Sequence, residues 1–290
     1  VSLNVGNMEQ NPGFKISLPL GIKVIQACIY GDVLMRCLYA TRPYEKVPGS
    51  ADRLHAKWRK ICTKAVSRRA PEMGEFKRVV RAIVQDFDRL PRVDVKKPKV
   101  GVVGEILVKF SPLANNHIVE LLEREGAEAV MPDLLDFIYY SFYNLNFKAD
   151  NLGFSKKSKF LCNMGIKLMD SFRAEAKKAL TASKHFSPPG DIAHMAEMAS
   201  EFVSLGNMTG EGWFLTGEML ELIEGGVENI VCTQPFGCLP NHVVGKGVIK
   251  QLRAAYPGAN IIAVDYDPGA SEVNQLNRIK LMLATAQRNL

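Results

Sequence analysis

Cys238 has the most reactive setting in the chain. It lies in Gln234-Pro-Phe-Gly-Cys-Leu-Pro-Asn-His242, bounded by Pro and Gly, directly before a helix expected over 241–255. Unpaired N–H groups and the dipole at a helix start lower a thiol pKa. A thiolate there can ligate an iron–sulfur cluster or act as a nucleophile; a structural cysteine in a turn is the plain alternative. His242 could serve as base, ligand or local hydrogen-bond partner. The Cys238/His242 spacing suits nucleophilic chemistry, but no orienting acid accompanies it. Asp265 and Asp267 could hold a cation, although Asp-Pro-Gly is also ordinary turn chemistry. Glu105, Asp133 and Asp136 are further carboxylates at expected strand ends. The loop Thr209-Gly-Glu-Gly-Trp213 could receive an anion ahead of a helix. It lacks the GxxxxGK[ST] spacing, and Lys246 falls inside a helix, so there is no Walker motif.

The other cysteines are Cys28, Cys37, Cys62, Cys162 and Cys232. No CxxC occurs, and the six follow no zinc or ferredoxin spacing. Cys28, Cys37 and Cys62 fall on apolar helix faces and Cys232 inside a strand, all as core residues. Cys162, in a Lys-rich helix, stays open.

The elements that must position these groups follow from periodicity. Residues 1–20 read as irregular and 22–40 as a helix. Two amphipathic helices follow, one with a Leu54, Trp58, Ile61, Cys62, Ala65 stripe. The other carries Phe76, Val79, Val80, Ile83, Val84 and Phe87. After Lys96-Lys97-Pro98 strands and helices alternate. Val100–Val108 is a near-continuous apolar run, expected as a strand buried on both faces. Strands are also expected at 128–131, 229–233 and 261–265, and helices at 115–124, from 133, at 241–255 and at 272–286. The expectation is an α/β fold: a Rossmann-like or flavodoxin-like parallel sheet of about four strands with a helical insertion over 155–225. Residues 1–97 read as a helical basic region ending an upstream domain, and 98–290 as the α/β domain. In such sheets ligands bind outside the strand carboxyl ends, where strand order reverses.

The 290 residues are 47% hydrophobic and 23% charged, which excludes disorder as the main state. No apolar run approaches the ~18–20 residues of a membrane span; the longest, 134–147, contains Asp136. No signal peptide is visible, so the expected setting is cytoplasmic. The opening Val-Ser-Leu-Asn reads like a strand entered midway, as in a fragment. Of the net charge of +7, residues 39–100 hold 17 Lys and Arg against 7 Asp and Glu. A solvated basic face accounts for this; an acidic protein partner or nucleotide-bearing substrate is the second reading. No nucleic-acid motif accompanies the charge.

Four segments carry a family resemblance: Gly101-Val-Val-Gly-Glu-Ile-Leu-Val-Lys109, Gly210-Glu-Gly-Trp213, Gln234 to His242, and Asp265-Tyr-Asp-Pro-Gly-Ala-Ser-Glu-Val-Asn-Gln-Leu-Asn-Arg-Ile-Lys280. They resemble proteins described as CoA-substrate-specific enzyme activases, related to 2-hydroxyacyl-CoA dehydratases, benzoyl-CoA reductases and double-cubane-cluster proteins. The likeness covers nearly the whole chain and is most specific in its last 60 residues. It implies Cys238 as an iron–sulfur ligand of a [4Fe-4S] type cluster, with Asp265 and Asp267 in the acidic turn and Arg278 in the last helix. Glu105 and His242, from their own places near strand ends, are expected in the same cofactor site as Cys238 and Asp265. The likeness further implies that the other cysteines and the ATPase modules lie upstream of Val1, so that the cluster would be incomplete in this chain. The partners implied are those upstream domains, a CoA-thioester enzyme or acidic electron-transfer protein, and a second copy in a homodimer.

The first functional expectation is therefore the C-terminal part of an iron–sulfur reductase system, driven by ATP hydrolysis elsewhere. The second is a non-catalytic α/β docking module without a cluster. The third is a thiol enzyme using Cys238 with His242.

Overall fold

The computed structural model describes residues 17–68, 72–267 and 269–290. Helix α1 (Leu18–Thr41) starts on Ser17, whose Oγ accepts the Leu20 N–H, with Pro19 in the first turn. It thus begins four residues earlier than expected; residues 1–16 of the expected irregular segment lie outside the described residues. α2 (Ser50–Val66) and α3 (Met73–Asp88) follow. All six apolar residues read on α3 are buried, and on α2 Trp58 and Cys62 are. Arg53, Lys57, Lys60, Lys64 and Arg68 face solvent, the solvated basic face of the first reading.

The sheet contains β1 (Lys99–Gly104), β2 (Glu128–Val130), β3 (Asn229–Gln234) and β4 (Asn260–Asp265). All neighbours are parallel, in the order β2-β1-β3-β4. This is the expected α/β architecture in its flavodoxin-like order. Between β1 and β2 lie α4 (Ile106–Phe110) and α5 (Ile118–Arg124). The long β2–β3 connection carries α6 (Leu134–Asn151), α7 (Lys156–Thr181), α8 (Ile192–Ser200) and α9 (Trp213–Glu224). α10 (Ile249–Ala255) links β3 to β4, and α11 (Glu272–Arg288) closes the chain.

Apolar residues of α5 and α11 pack with the sheet in one cluster; those of α9 and α10 pack with it in another. A third core joins α1–α3 to α6–α8 and the start of α9, around Phe76, Ile83, Tyr139, Tyr140 and Trp213. Cys37, Cys62 and Cys232 are buried as read, with Cys28 half-buried against the third core.

Three expectations need correction. The apolar run 100–108 is not one strand. β1 stops at Gly104 (φ +138°), where a Cβ would come 1.9 Å from Thr233 O. Glu105 then caps α4, its Oε2 accepting the Val108 N–H at 2.8 Å. The helix expected over 241–255 is broken into a π-type turn at Asn241–Gly245, a 3-10 turn at Lys246–Val248 and α10. An added Cβ at Gly245 would meet the Leu215 and Cys232 side chains, and one at Gly247 the His242 carbonyl, so glycine is what fits at both positions of this irregular segment. Finally, α1 is by length and composition apolar enough to cross a membrane, contrary to the sequence reading. Its charges are few and spaced, and Asp32 and Arg36 find partners inside the fold, where α1 packs on α2, α3, α6, α7 and β2.

Candidate functional site

The chain leaves β1 toward β2 on one side and β3 toward β4 on the other, so the switch point is the crevice between the carboxyl ends of β1 and β3. Thr233 O accepts the Glu105 N–H at 2.9 Å across it. Glu211, buried between two glycines of positive φ, reaches in from the loop before α9. Its Oε1 accepts the Ile106 N–H at 3.0 Å, and its Oε2 the Asn241 Nδ2–H at 3.3 Å. Burial raises the Glu211 carboxyl above its ordinary range. The loop read as an anion receptor therefore brings its own carboxylate to the crevice, contrary to that expectation.

Cys238 sits half-exposed after a tight turn at Gly237 (φ +74°). Asn241 Nδ2 lies 3.1 Å from the Cys238 Sγ, an N–H donor to sulfur. Cys232 is 3.9 Å from Asn241 Oδ1, fully buried in β3, and burial pushes its thiol up to about 12. Cys232 therefore stays protonated at neutral pH. His242 does not address the thiol: its Nδ1 lies 2.9 Å from the Cys238 carbonyl oxygen, which also accepts the His242 N–H. Among the described residues no hydrogen bond joins the thiol to the imidazole.

The remaining expected residues also hold local structure. Asp265 Oδ1 accepts Gln234 Nε2–H at 2.6 Å, and Asp267 Oδ2 accepts the Phe236 N–H at 2.8 Å. These bonds tie the β3 and β4 exits together and shape the cysteine loop. Pro268, in the acidic turn, lies outside the described residues. Cys238, His242, Glu105 and Asp265 thus share the carboxyl end of the sheet, and Cys238 is the half-exposed thiol among them. Around it, Phe236 (78% exposed), Leu239 (70%) and Val243 form an apolar rim. Among the described residues no group of three or more His, Cys, Asp or Glu side chains is arranged to hold a metal ion.

Sequence reasoning missed Glu211 and Asn241. Gly-Glu-Gly was a usable signal, because two flexible positions around a carboxylate let it turn inward. It also missed a buried charged network behind the β1 and β2 ends. Lys109 of α4 pairs with Glu218 of α9 at 2.6 Å, each 1% exposed. Arg36 pairs with Asp133, and Arg173 with both Asp133 and Asp136. Asp32 accepts the Leu134 and Leu135 N–H groups at the start of α6. Asp133 and Asp136, read as possible site carboxylates, are thereby structural.

This network predicts a pH dependence. Burial pushes the Glu218 carboxyl up to about 7 and the Asp136 carboxyl up to about 6. Between the ordinary carboxylate range and these values, the folded chain holds protons that the unfolded chain has released. The stabilisation is therefore complete below about pH 4 and falls as pH rises through about 6 to 7. In thermal unfolding at pH 5 and pH 8, Lys109→Met/Glu218→Leu should lose less stability over that interval than the wild type. Equal losses would remove Glu218 from the titration.

No family model, curated protein or solved structure matches this chain.

Proposed function

We propose that the chain is the C-terminal part of an iron–sulfur protein in ATP-dependent low-potential electron transfer, of the activase-like kind its motifs resemble, with Cys238 as a cluster ligand. The observation that carries this reading is a half-exposed thiol at the switch-point crevice whose sulfur accepts an Asn241 N–H. Hydrogen bonds to sulfur and an apolar surround are the protein's means of tuning such a cluster.

The donor set fits one ligand and not a closed [4Fe-4S] site, because Cys232 is the nearby second thiol and is buried and protonated. The remaining ligands belong, on this reading, to upstream cysteine-bearing domains or a second copy in a homodimer. When bound, a cluster supplies one-electron chemistry. The chain's own part is to offer the Cys238 thiolate, to orient Asn241 through Glu211, and to exclude water with Phe236, Leu239 and Val243. The basic α2–α3 face suits an acidic electron-transfer protein or a CoA-thioester enzyme, and the setting is cytoplasmic.

A second reading, a docking module without a cluster, is favoured by that same exposed apolar rim. The test is iron and acid-labile sulfide per chain, with the visible spectrum, after anaerobic reconstitution of wild type, Cys238→Ala and Cys232→Ser. The first reading expects iron in wild type and Cys232→Ser, with at least a tenfold loss in Cys238→Ala. If wild type and Cys238→Ala hold none, the same measurement on the protein extended upstream decides. Zero iron there leaves the docking module.

A further inference from the structure

We propose that the helix ends remote from the sheet form a contact surface for an anionic lipid bilayer, on which the chain rests without crossing it. The α6–α7 hairpin supplies the first observation. No residue of α7 before Met169 is buried. In that stretch Phe160 (65% exposed), Leu161 (64%) and Met164 turn outward, and the loop before α7 adds Leu152 and Phe154, both at least half exposed. Gly165 takes the inner side, where an added Cβ would stand 2.7 Å from the Phe142 ring of α6. Lys156, Phe160 and Met164, spaced by four, therefore form one row on the outer side. A folded surface seldom gathers this much apolar side chain unless something covers it.

The second observation comes from α1, whose N-terminal half lies at the same end. Tyr30 of α1 packs on Phe76 near the start of α3, with ring centres 5.1 Å apart, and Phe76 packs on Phe172 of α7 at 5.5 Å. Toward the other end Arg92 donates to Ala40 O, and Ser183 donates to Asp88 at the close of α3. The helices α1, α3 and α7 thus run parallel. Leu18 precedes Tyr30 by twelve residues and Phe160 precedes Phe172 by twelve, so both stand about 18 Å beyond the Phe76 contact. Leu18, Leu20 and Val24 are exposed there. In the opposite direction α1 reaches the sheet, where Arg36 meets Asp133 just after β2.

The charges select the occupant. From Phe137 to Met169 the chain has five lysines and a single carboxylate, Asp150. Lys159 holds that carboxylate at 2.6 Å. Among the described residues no carboxylate pairs with Lys156, Lys157 or Lys167, and all three are exposed. The hairpin end is therefore apolar and cationic together, and its complement is an apolar phase with anionic groups at its boundary.

A bilayer surface has that composition. Phe, Leu and Met side chains enter the acyl boundary while lysine ammonium groups remain among the anionic headgroups. A second copy of this chain does not complement the face, because a two-fold contact would set its lysines against their own copies. The apolar residues come from two helix starts and a loop and not from the walls of a groove, which suits a fluid surface that conforms to them.

The test is flotation of the whole chain with vesicles of phosphatidylcholine containing phosphatidylserine as the minor lipid, against vesicles of phosphatidylcholine alone. Expected is binding to the mixed vesicles that is roughly tenfold weaker on the neutral ones and falls with added salt. Phe160→Ser/Leu161→Ser should weaken binding roughly tenfold with the charge unchanged. Lys156→Gln/Lys157→Gln should reduce the preference for phosphatidylserine. Lys246→Gln/Lys250→Gln removes the same charge from exposed positions beside the sheet and should leave binding as it is. Phe160→Trp should shift its fluorescence to the blue on mixed vesicles and be quenched by brominated lipid, whereas Val273→Trp, exposed on α11, should not. Absence of binding, equal binding to both vesicles, an equal loss from the Lys246 and Lys250 pair, or an unshifted Phe160→Trp would each overturn the proposal. Self-association without vesicles that Phe160→Ser/Leu161→Ser abolishes would overturn it in favour of a second copy. None of these readouts depends on iron, so this proposal and the cluster reading fail independently.

Discussion

At pH 8, where Glu218 is ionised, Lys109→Met should lower the unfolding free energy by about 3–5 kcal/mol, while Lys109→Met/Glu218→Leu should lie within about 1 kcal/mol of wild type or above it. The pair is a 2.6 Å contact between an ammonium and a carboxylate that are each 1% exposed, with the Lys109 Nζ also 4.8 Å from the Phe110 ring centre. Transfer of both charges from water costs free energy that their mutual attraction offsets only while both are present. Removal of Lys109 leaves a carboxyl in an apolar site near Asp136 and Glu221, both of which oppose its ionisation. The single variant therefore exposes the desolvation cost, and the double variant replaces it with hydrocarbon of similar volume. Denaturant unfolding of wild type, both singles and the double forms the cycle that isolates the coupling. A loss under about 1 kcal/mol for Lys109→Met would mean that water reaches the pair.

Gly104→Ala should be the most damaging single methyl in the sheet, costing more than about 4 kcal/mol or abolishing folding. Gly104 has φ +138°, and an added Cβ would stand 1.9 Å from Thr233 O and 2.7 Å from Thr233 C and N. Those atoms belong to the neighbouring strand's backbone, and no rotamer change relieves the overlap. The relevant control is Gly126→Ala. Gly126 also has positive φ (+88°), but nothing stands within 4 Å of its added Cβ. It should cost about 1–2 kcal/mol, the backbone conformational term alone. Thermal and urea unfolding of the two variants separate backbone preference from collision. Similar losses in both would mean that β1 and β3 can part at their carboxyl ends, and that the switch-point crevice is wider than described.

The two experiments act on one region from opposite sides. Gly104 ends β1, Glu105 starts α4, and Lys109 lies one turn further along, held by Glu218. The short α4 is thus pinned at both ends, by Glu211 at the Ile106 N–H and by the buried ion pair at Lys109. Asn241 hangs from the same Glu211 and reaches the Cys238 sulfur. Loss of either pin should loosen the donor to that sulfur. Cys238 alkylation rates measured in these variants would read that effect directly.

Local pattern was enough for the architecture. Apolar runs of strand length and stripes of helical period identify their elements because each of those signals lies within a few neighbouring residues. The alternation of the two, with connections that must cross over, leaves a parallel sheet as the consistent packing. The same local signals placed Cys238 and Asp265 at strand ends. They failed where one pattern has two solutions. The run Val100–Val108 is equally apolar as one buried strand or as a strand and a buried turn of helix, and it was a contact with Thr233, 129 positions from Gly104, that chose the second.

Tertiary packing also decided which polar residues are free. Lys109 meets Glu218, Arg36 meets Asp133 and Glu211 meets Asn241. These residues lie far apart in the chain, and nothing in their immediate neighbours marks them as partners. The position of Cys238 was therefore legible from its own loop, whereas its surroundings were not. Asn241 at its sulfur, His242 turned to its carbonyl and Cys232 sealed in the strand below are consequences of β3 lying between β1 and β4. A buried polar group must find its partner wherever the folded chain brings one.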